Sequence, residues 1–236
     1  MSTKPIFSRV LRLLGFRIAL VTCSLFVVLT SVAMFMYPGG TLIDKTTIGY
    51  SFSNNFFSEL GMTQFYSGQP NYGPFLLFVV ALSGAGLGMI VFFIAYAPFF
   101  TRSIIDRLLA WLGTLVGITS GMCFIGVALT PADANRSLHA NYVLWAFQTF
   151  FIAVLLYLPP LFRERRHPKP SASVFGVFAF LLAAYVLLIN FGPAANTPEG
   201  LTIQATGQKI IAYACVASII LESLGAIRFI KKSGRT

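Results

Sequence analysis

Residues 75–100 read FLLFVVALSGAGLGMIVFFIAYAPFF, an unbroken run without one charged side chain. A helix rises about 1.5 Å per residue, so about 20 apolar residues cross a hydrocarbon layer about 30 Å thick. The stretch is long enough to cross, and it is a continuous apolar run rather than a stripe on one side of a soluble helix.

Working outward, uncharged runs of comparable length recur at residues 18–37, 108–130, 140–162 and 172–191. A sixth segment, residues 206–227, carries Lys209 near its start and Glu222 inside it. Across all 236 residues 56% are hydrophobic and only 10% charged, where a soluble domain has about a quarter charged. The fold class is therefore all-α: a polytopic membrane helical bundle of six transmembrane helices, forming one domain over residues 1–236. A secreted disulfide scaffold, a disordered chain and a free cytosolic enzyme are excluded.

Helix-ending residues punctuate the spans. Pro38-Gly39-Gly40 is expected to stop the first, Pro98 the second, Thr130-Pro131 the third, Pro159-Pro160 the fourth and Gly192-Pro193 the fifth. Lys4, Arg9, Arg12 and Arg17 precede the first span like the basic leader of a signal peptide, but the apolar run is longer than a signal core and lacks a small-residue cleavage site. It is read as a retained span.

The basic residues give an orientation. Besides those four, Arg102, Arg107, Arg163, Arg165, Arg166, Lys169, Arg228, Lys231, Lys232 and Arg235 fall on one side, leaving Lys45, Arg136 and Lys209 on the other. By the positive-inside rule both termini are cytoplasmic. The net charge of +10 then reads as orientation and contact with anionic lipid head groups rather than nucleic-acid binding, for which no soluble basic domain exists. Cys23, Cys123 and Cys215 lie inside spans, where they are expected to pack as small apolar residues without a disulfide.

Most of the extramembrane chain lies outside, in a long loop over residues 38–73, a short one over 131–138 and a third over 193–204. Loops carried on a rigid scaffold often carry function. In the first, the stretch from Ser53 to Thr63 is expected to form a short helix, with Asn or Ser capping its start and Gly61 ending it in the left-handed conformation. It is either a cover over the outer mouth or, through Asn55, Ser58 and Glu59, a polar binding surface. In the second, Asp133, Arg136 and His139 are spaced by three, so Asp133 can orient His139.

Within the fourth span Asn141, Trp145 and Gln148 fall on one face at i, i+4 and i+7, and amides in lipid are expected to face protein or a cavity. In the sixth, Lys209 is expected to snorkel outward. Glu222 is expected to be protonated and bonded to Ser218, paired with an inner-face arginine, or part of a transport path. Gly113, Gly117 and Gly121 recur every four residues and Ser83 to Gly88 is rich in small residues, both marking close helix approach.

Asn55-Phe56-Phe57-Ser58-Glu59-Leu60-Gly61, followed by Thr130-Pro131-Ala132-Asp133 and His139, resembles a group of small prokaryotic membrane proteins of unknown function that carry an Asn-x-x-Ser-Asp/Glu-Leu-Gly signature after the first span. The chain is also similar, more loosely, to the Frag1/DRAM/Sfk1 membrane families. The resemblance implies a six-span bundle and no established activity. A more distant comparison is with ceramidase-like membrane hydrolases, whose zinc is held by several histidines; here there are only His139 and His167, the latter in a cytoplasmic loop.

Nucleotide-binding and common hydrolase motifs are absent. The expected function is a non-enzymatic bundle that binds a lipid or small amphiphile at its outer face, or assists membrane homeostasis, in the plasma membrane of a bacterium or archaeon. Ligand-binding candidates are Asn55, Ser58, Glu59, Asp133, His139, Asn141, Trp145 and Gln148, and intramembrane charge candidates Lys209 and Glu222. Asn55, Ser58, Glu59, Asp133 and His139 are expected to converge at the outer mouth, above the Asn141, Trp145 and Gln148 face, with the long loop folded back over the second. Membrane lipids are the expected partners, nucleic acid is not, and an oligomer is left open. No catalytic residue, cofactor or metal is expected. Proton- or ion-coupled transport through Glu222 and the polar face of the fourth span is the alternative, and a ceramidase-like hydrolase the second.

Overall fold

The chain is described by a computed structural model over residues 4–163 and 169–232. Arg165, Arg166, His167 and Arg235, which enter the orientation argument and the histidine comparison, lie outside the described residues. The six long helices are α1 (Lys4–Met36), α2 (Tyr72–Tyr96), α3 (Ile104–Leu129), α4 (Arg136–Arg163), α5 (Lys169–Phe191) and α6 (Pro198–Lys232). All are long and apolar enough to cross a membrane. The protein is an integral, multi-pass membrane protein.

Each helix packs on the next in chain order, and α6 returns to α1, so the six close a ring. The start of α1 and the end of α6 lie together at one end of it, where the Arg9 guanidinium donates to the Ile230 carbonyl at 2.9 Å. The residues joining α1 to α2 cover the other, the loop end. Lipid supplies no hydrophobic drive for helix association, so close contact must come from shape. Small residues provide it: the Phe93 ring of α2 lies against Gly117 of α3, and the Tyr157 ring of α4 against Gly113. Gly86 of α2 sits on the Gly121 carbonyl, and Gly88 on Thr22 of α1. The hydroxyl of Thr22 donates to carbonyls of its own helix, which keeps it satisfied in an apolar setting.

Several boundaries depart from the sequence reading. Helices α1 and α6 extend well beyond residues 18–37 and 206–227, because apolar length measures the hydrocarbon crossed and polar residues at the interface continue a helix equally well. The third loop accordingly shrinks to residues 192–197. Pro159 and Pro160 do not end α4, which runs on to Arg163. That last turn is tied down by the Arg163–Asp106 ion pair at 3.1 Å and by Arg102, which donates to the Arg163 carbonyl.

Toward the terminal end, Phe16, Phe92, Phe93, Tyr96, Phe100 and Tyr157 form a cluster of stacked and edge-on rings. Glu222, 1% exposed, accepts from the Tyr96 hydroxyl at 2.9 Å. The Ser218 hydroxyl donates to the Cys215 carbonyl at 2.8 Å. The three cysteines are free and buried.

Candidate functional site

The loop between α1 and α2 folds onto the loop end through its backbone. Gly40, at a φ of +88°, turns the chain so that its amide donates to Thr47 at 2.9 Å while its carbonyl points inward. The fully buried Asn55 reaches that carbonyl with its side-chain amide at 2.7 Å and the Glu59 carboxyl at 2.6 Å, and its side-chain oxygen accepts the Ser51 amide at 2.8 Å. Asn55 is thus a cross-brace of the loop rather than a helix cap. Phe57–Gly61 is a 3-10 turn whose buried Phe57 and Leu60 plug the ring, with Phe57 against Phe26 of α1. Gly61 is not left-handed: the Phe78 ring occupies the space where its Cβ would stand.

Two anchors from α6 hold the turn. Gln208 accepts the Phe57 amide at 2.7 Å. Lys209 does not snorkel outward. It is fully buried, donates to the Asn55 carbonyl and to Ala205, and its ammonium lies 5.4 Å from the Tyr50 ring centre and 5.3 Å from that of Phe52. The ring faces replace part of the lost hydration.

Asp133, in the turn between α3 and α4, accepts the Thr63 amide at 3.0 and 2.9 Å, the Thr63 hydroxyl at 2.6 Å and the Gln64 amide at 3.1 Å. Burial works to raise this carboxyl, but the Thr63 and Gln64 bonds outweigh it and hold the group below the usual carboxylate range. Asp133 consequently does not orient His139. The His139 Nδ1 instead pairs with the Thr130 carbonyl at 2.6 Å, and its Nε2 is buried with no partner. The Thr63 and Gln64 amides have no strand ladder to join, and the carboxylate supplies their acceptor.

Between loop and helices lies a cavity of about 520 Å³. Ser58, Glu59, Asp133, Arg136, His139, Asn141 and Gln208 line it together with Phe56, Met62, Val143, Leu144 and Ile189. Burial pushes the Glu59 carboxyl up to about 7, against the opposing effect of hydrogen bonds from Asn55 and Tyr66 and the charge of Lys209. The structure thus brings five of the eight binding candidates to one cavity wall and places Asn55 behind it.

Trp145 and Gln148 are not on that wall. Helix α4 buries the stripe His139, Ala146, Phe147, Phe150, Ala153 and Tyr157, while Trp145 is 50% exposed. The i, i+4, i+7 spacing is real, but it does not keep the three together: Asn141 lines the cavity, Trp145 is exposed and Gln148 is half-buried. Gln208, Tyr66 and Thr63 escaped the sequence reading as site residues, and Arg136 entered it only through its spacing from Asp133 and His139. Gln208 offered a signal as an amide inside an apolar helix; Thr63 acts through its backbone and offered none.

Below the cavity the ring is apolar. Phe26, Met89, Phe147, Phe150, Val216 and Ile219 are among the residues around a crevice of about 60 Å³ midway along the bundle. Along α6 the order runs from Gln208 at the cavity, through Ala212 and Val216 at the crevice, to Glu222. Among the described residues no three His, Cys, Asp or Glu side chains gather as metal ligands would.

A family model described as "Protein of unknown function (DUF998)" matches residues 31–223, a span that includes every residue of the cavity and of its anchors. No curated protein and no solved structure matches the chain.

Proposed function

The chain belongs to the DUF998 family of proteins of unknown function, and we propose that it binds a lipid or small amphiphile at its loop end, either as a carried ligand or in assisting membrane homeostasis. The observation that carries this reading is the cavity itself. Its volume suits a head group, and its lining combines polar side chains with apolar ones. One buried side-chain nitrogen, His139 Nε2, is left without a partner.

The loop end faces outside, with both termini in the cytoplasm of a bacterium or archaeon, as the basic residues argue. The head group enters the cavity from the outer leaflet, and the chain leaves over Phe56, Val143, Leu144 and Ile189.

Coupled transport needs a continuous polar path, and the aromatic and aliphatic middle of the ring speaks for binding instead. About 21 Å of helix separates Gln208 from Glu222, and the crevice between them is lined by apolar side chains, cysteines and a glycine.

Native mass spectrometry of protein extracted gently from its own membrane tests the proposal. A bound amphiphile is expected in the wild-type protein and its loss in Ala140→Trp, which fills the cavity, with the melting temperature of the variant as a folding control. Equal occupancy in both proteins would refute the site.

A further inference from the structure

The polar groups around the cavity divide by what they already hold, and the division narrows the ligand; this inference rests on reading the cavity as an amphiphile site. Asp133 is engaged by Thr63 and Gln64, Glu59 by Asn55 and Tyr66, and the Gln208 oxygen by Phe57. These bonds close the loop over the cavity. His139 and Arg136 have capacity facing it.

His139 is 6% exposed, and its Nδ1 meets a carbonyl, which only accepts, so Nδ1 carries the proton. In the neutral imidazole Nε2 is then a bare acceptor, and it is buried without a partner on the cavity wall. A ligand must bring it a hydrogen to satisfy it. Arg136 stands three residues earlier, so the two side chains neighbour each other on one side of the first turn of α4. It presents donors only, and forms no ion pair among the described residues. Its side chain borders both this cavity and an adjoining one of about 480 Å³, which leaves room beside it for an anionic group.

We propose that the ligand is an anionic amphiphile with a free hydroxyl close to its acidic group, the anion on Arg136 and the hydroxyl donating to His139 Nε2. One helical turn separates the two protein groups, so the two ligand groups lie within a few bonds of each other. A quaternary ammonium head has no hydrogen to give Nε2, and its charge would face Arg136. The nearby acids oppose an anion less than two bare carboxylates would: Asp133 already holds three donor groups, and burial pushes the Glu59 carboxyl up to about 7.

The test uses the full chain in nanodiscs of phosphatidylcholine, titrated with 1-oleoylglycerol 3-phosphate, its 2-deoxy analogue, 1-oleoylglycerol and glycerol 3-phosphate. The first is expected to bind tightest, with loss of the hydroxyl or of the phosphate each weakening binding about tenfold, and glycerol 3-phosphate alone not binding in the same range. His139→Asn keeps a donor near Thr130 but lacks Nε2. It is expected to bring the first probe down to the affinity of the deoxy analogue while leaving the analogue's affinity unchanged.

Equal affinity for the first two probes, or an equal loss of both in His139→Asn, would overturn the head-group assignment and leave the amphiphile reading standing. Failure of every acylated probe to bind would overturn both. Binding of glycerol 3-phosphate as tight as that of its oleoyl ester would show a site for free phosphate esters and overturn the amphiphile class.

Discussion

The Asp133 carboxylate holds the Thr63 backbone amide through both of its oxygens, at 3.0 and 2.9 Å, across seventy residues of chain. A backbone donor in a loop has no ladder to join, and here a turn between two helices supplies the acceptor. The pair fastens the long loop to the α3–α4 corner and thereby roofs the cavity.

Asp133→Ala is expected to cost about 1 to 3 kcal/mol, the usual worth of hydrogen bonds to a charged group. The loss should appear as faster amide exchange over residues 57–66, with the helices protected as before. Unchanged exchange in that segment would mean that the clasp does not hold the loop.

The Glu59 carboxyl, pushed up to about 7 by burial from an ordinary 4.5, favours the folded state in its neutral form. Its contribution is fully present below about pH 4.5 and is lost as pH rises through about 7. Melting temperature measured from pH 4 to 9 should therefore fall across that window in the wild type, and Glu59→Gln, neutral throughout, should flatten the fall.

Gly117→Leu should destabilise the bundle by about 1 to 3 kcal/mol through overpacking. Even a Cβ at this position would stand 2.3 Å from the Phe93 ring, so the ring or the helices must shift. Leu115→Ala, at a side chain 64% exposed on the same helix, should be nearly neutral by comparison. Thermal unfolding in detergent distinguishes the two, and equal effects would remove the packing argument.

The spans were legible in the sequence because apolar length is a direct reading of hydrocarbon thickness, and Gly113, Gly117 and Gly121 because close approach in lipid requires small residues. Helix ends were less so: the Asp106–Arg163 pair that holds the last turn of α4 past two prolines is a tertiary contact. At the loop end, the long first loop and the short second one made it legible that Glu59 and His139 could meet. What the side chains do there was not. Asp133 chose backbone amides over His139, and Lys209 found carbonyls and rings in place of water. Trp145 shares the spacing of an inward stripe with Asn141, yet Asn141 lines the cavity and Trp145 is exposed, and only the position of neighbouring elements tells them apart.

Topology follows from single-cysteine labelling, since the native cysteines are buried. Ile48, 96% exposed in the loop, should react as Ile48→Cys with an impermeant reagent added outside intact cells, and Lys232→Cys should not. The opposite pattern would reverse the orientation and put the cavity in the cytoplasm.

The central claim is that the loop-end cavity is a ligand site, and the most direct measurement is a density map of the protein extracted gently from its own membrane, stabilised by an antibody fragment. The account predicts an elongated density with its compact end within hydrogen-bond distance of His139 Nε2 and Arg136, and its tail over Val143, Leu144 and Ile189. A cavity holding only ordered water, with lipid confined to the outside of the ring, would contradict it.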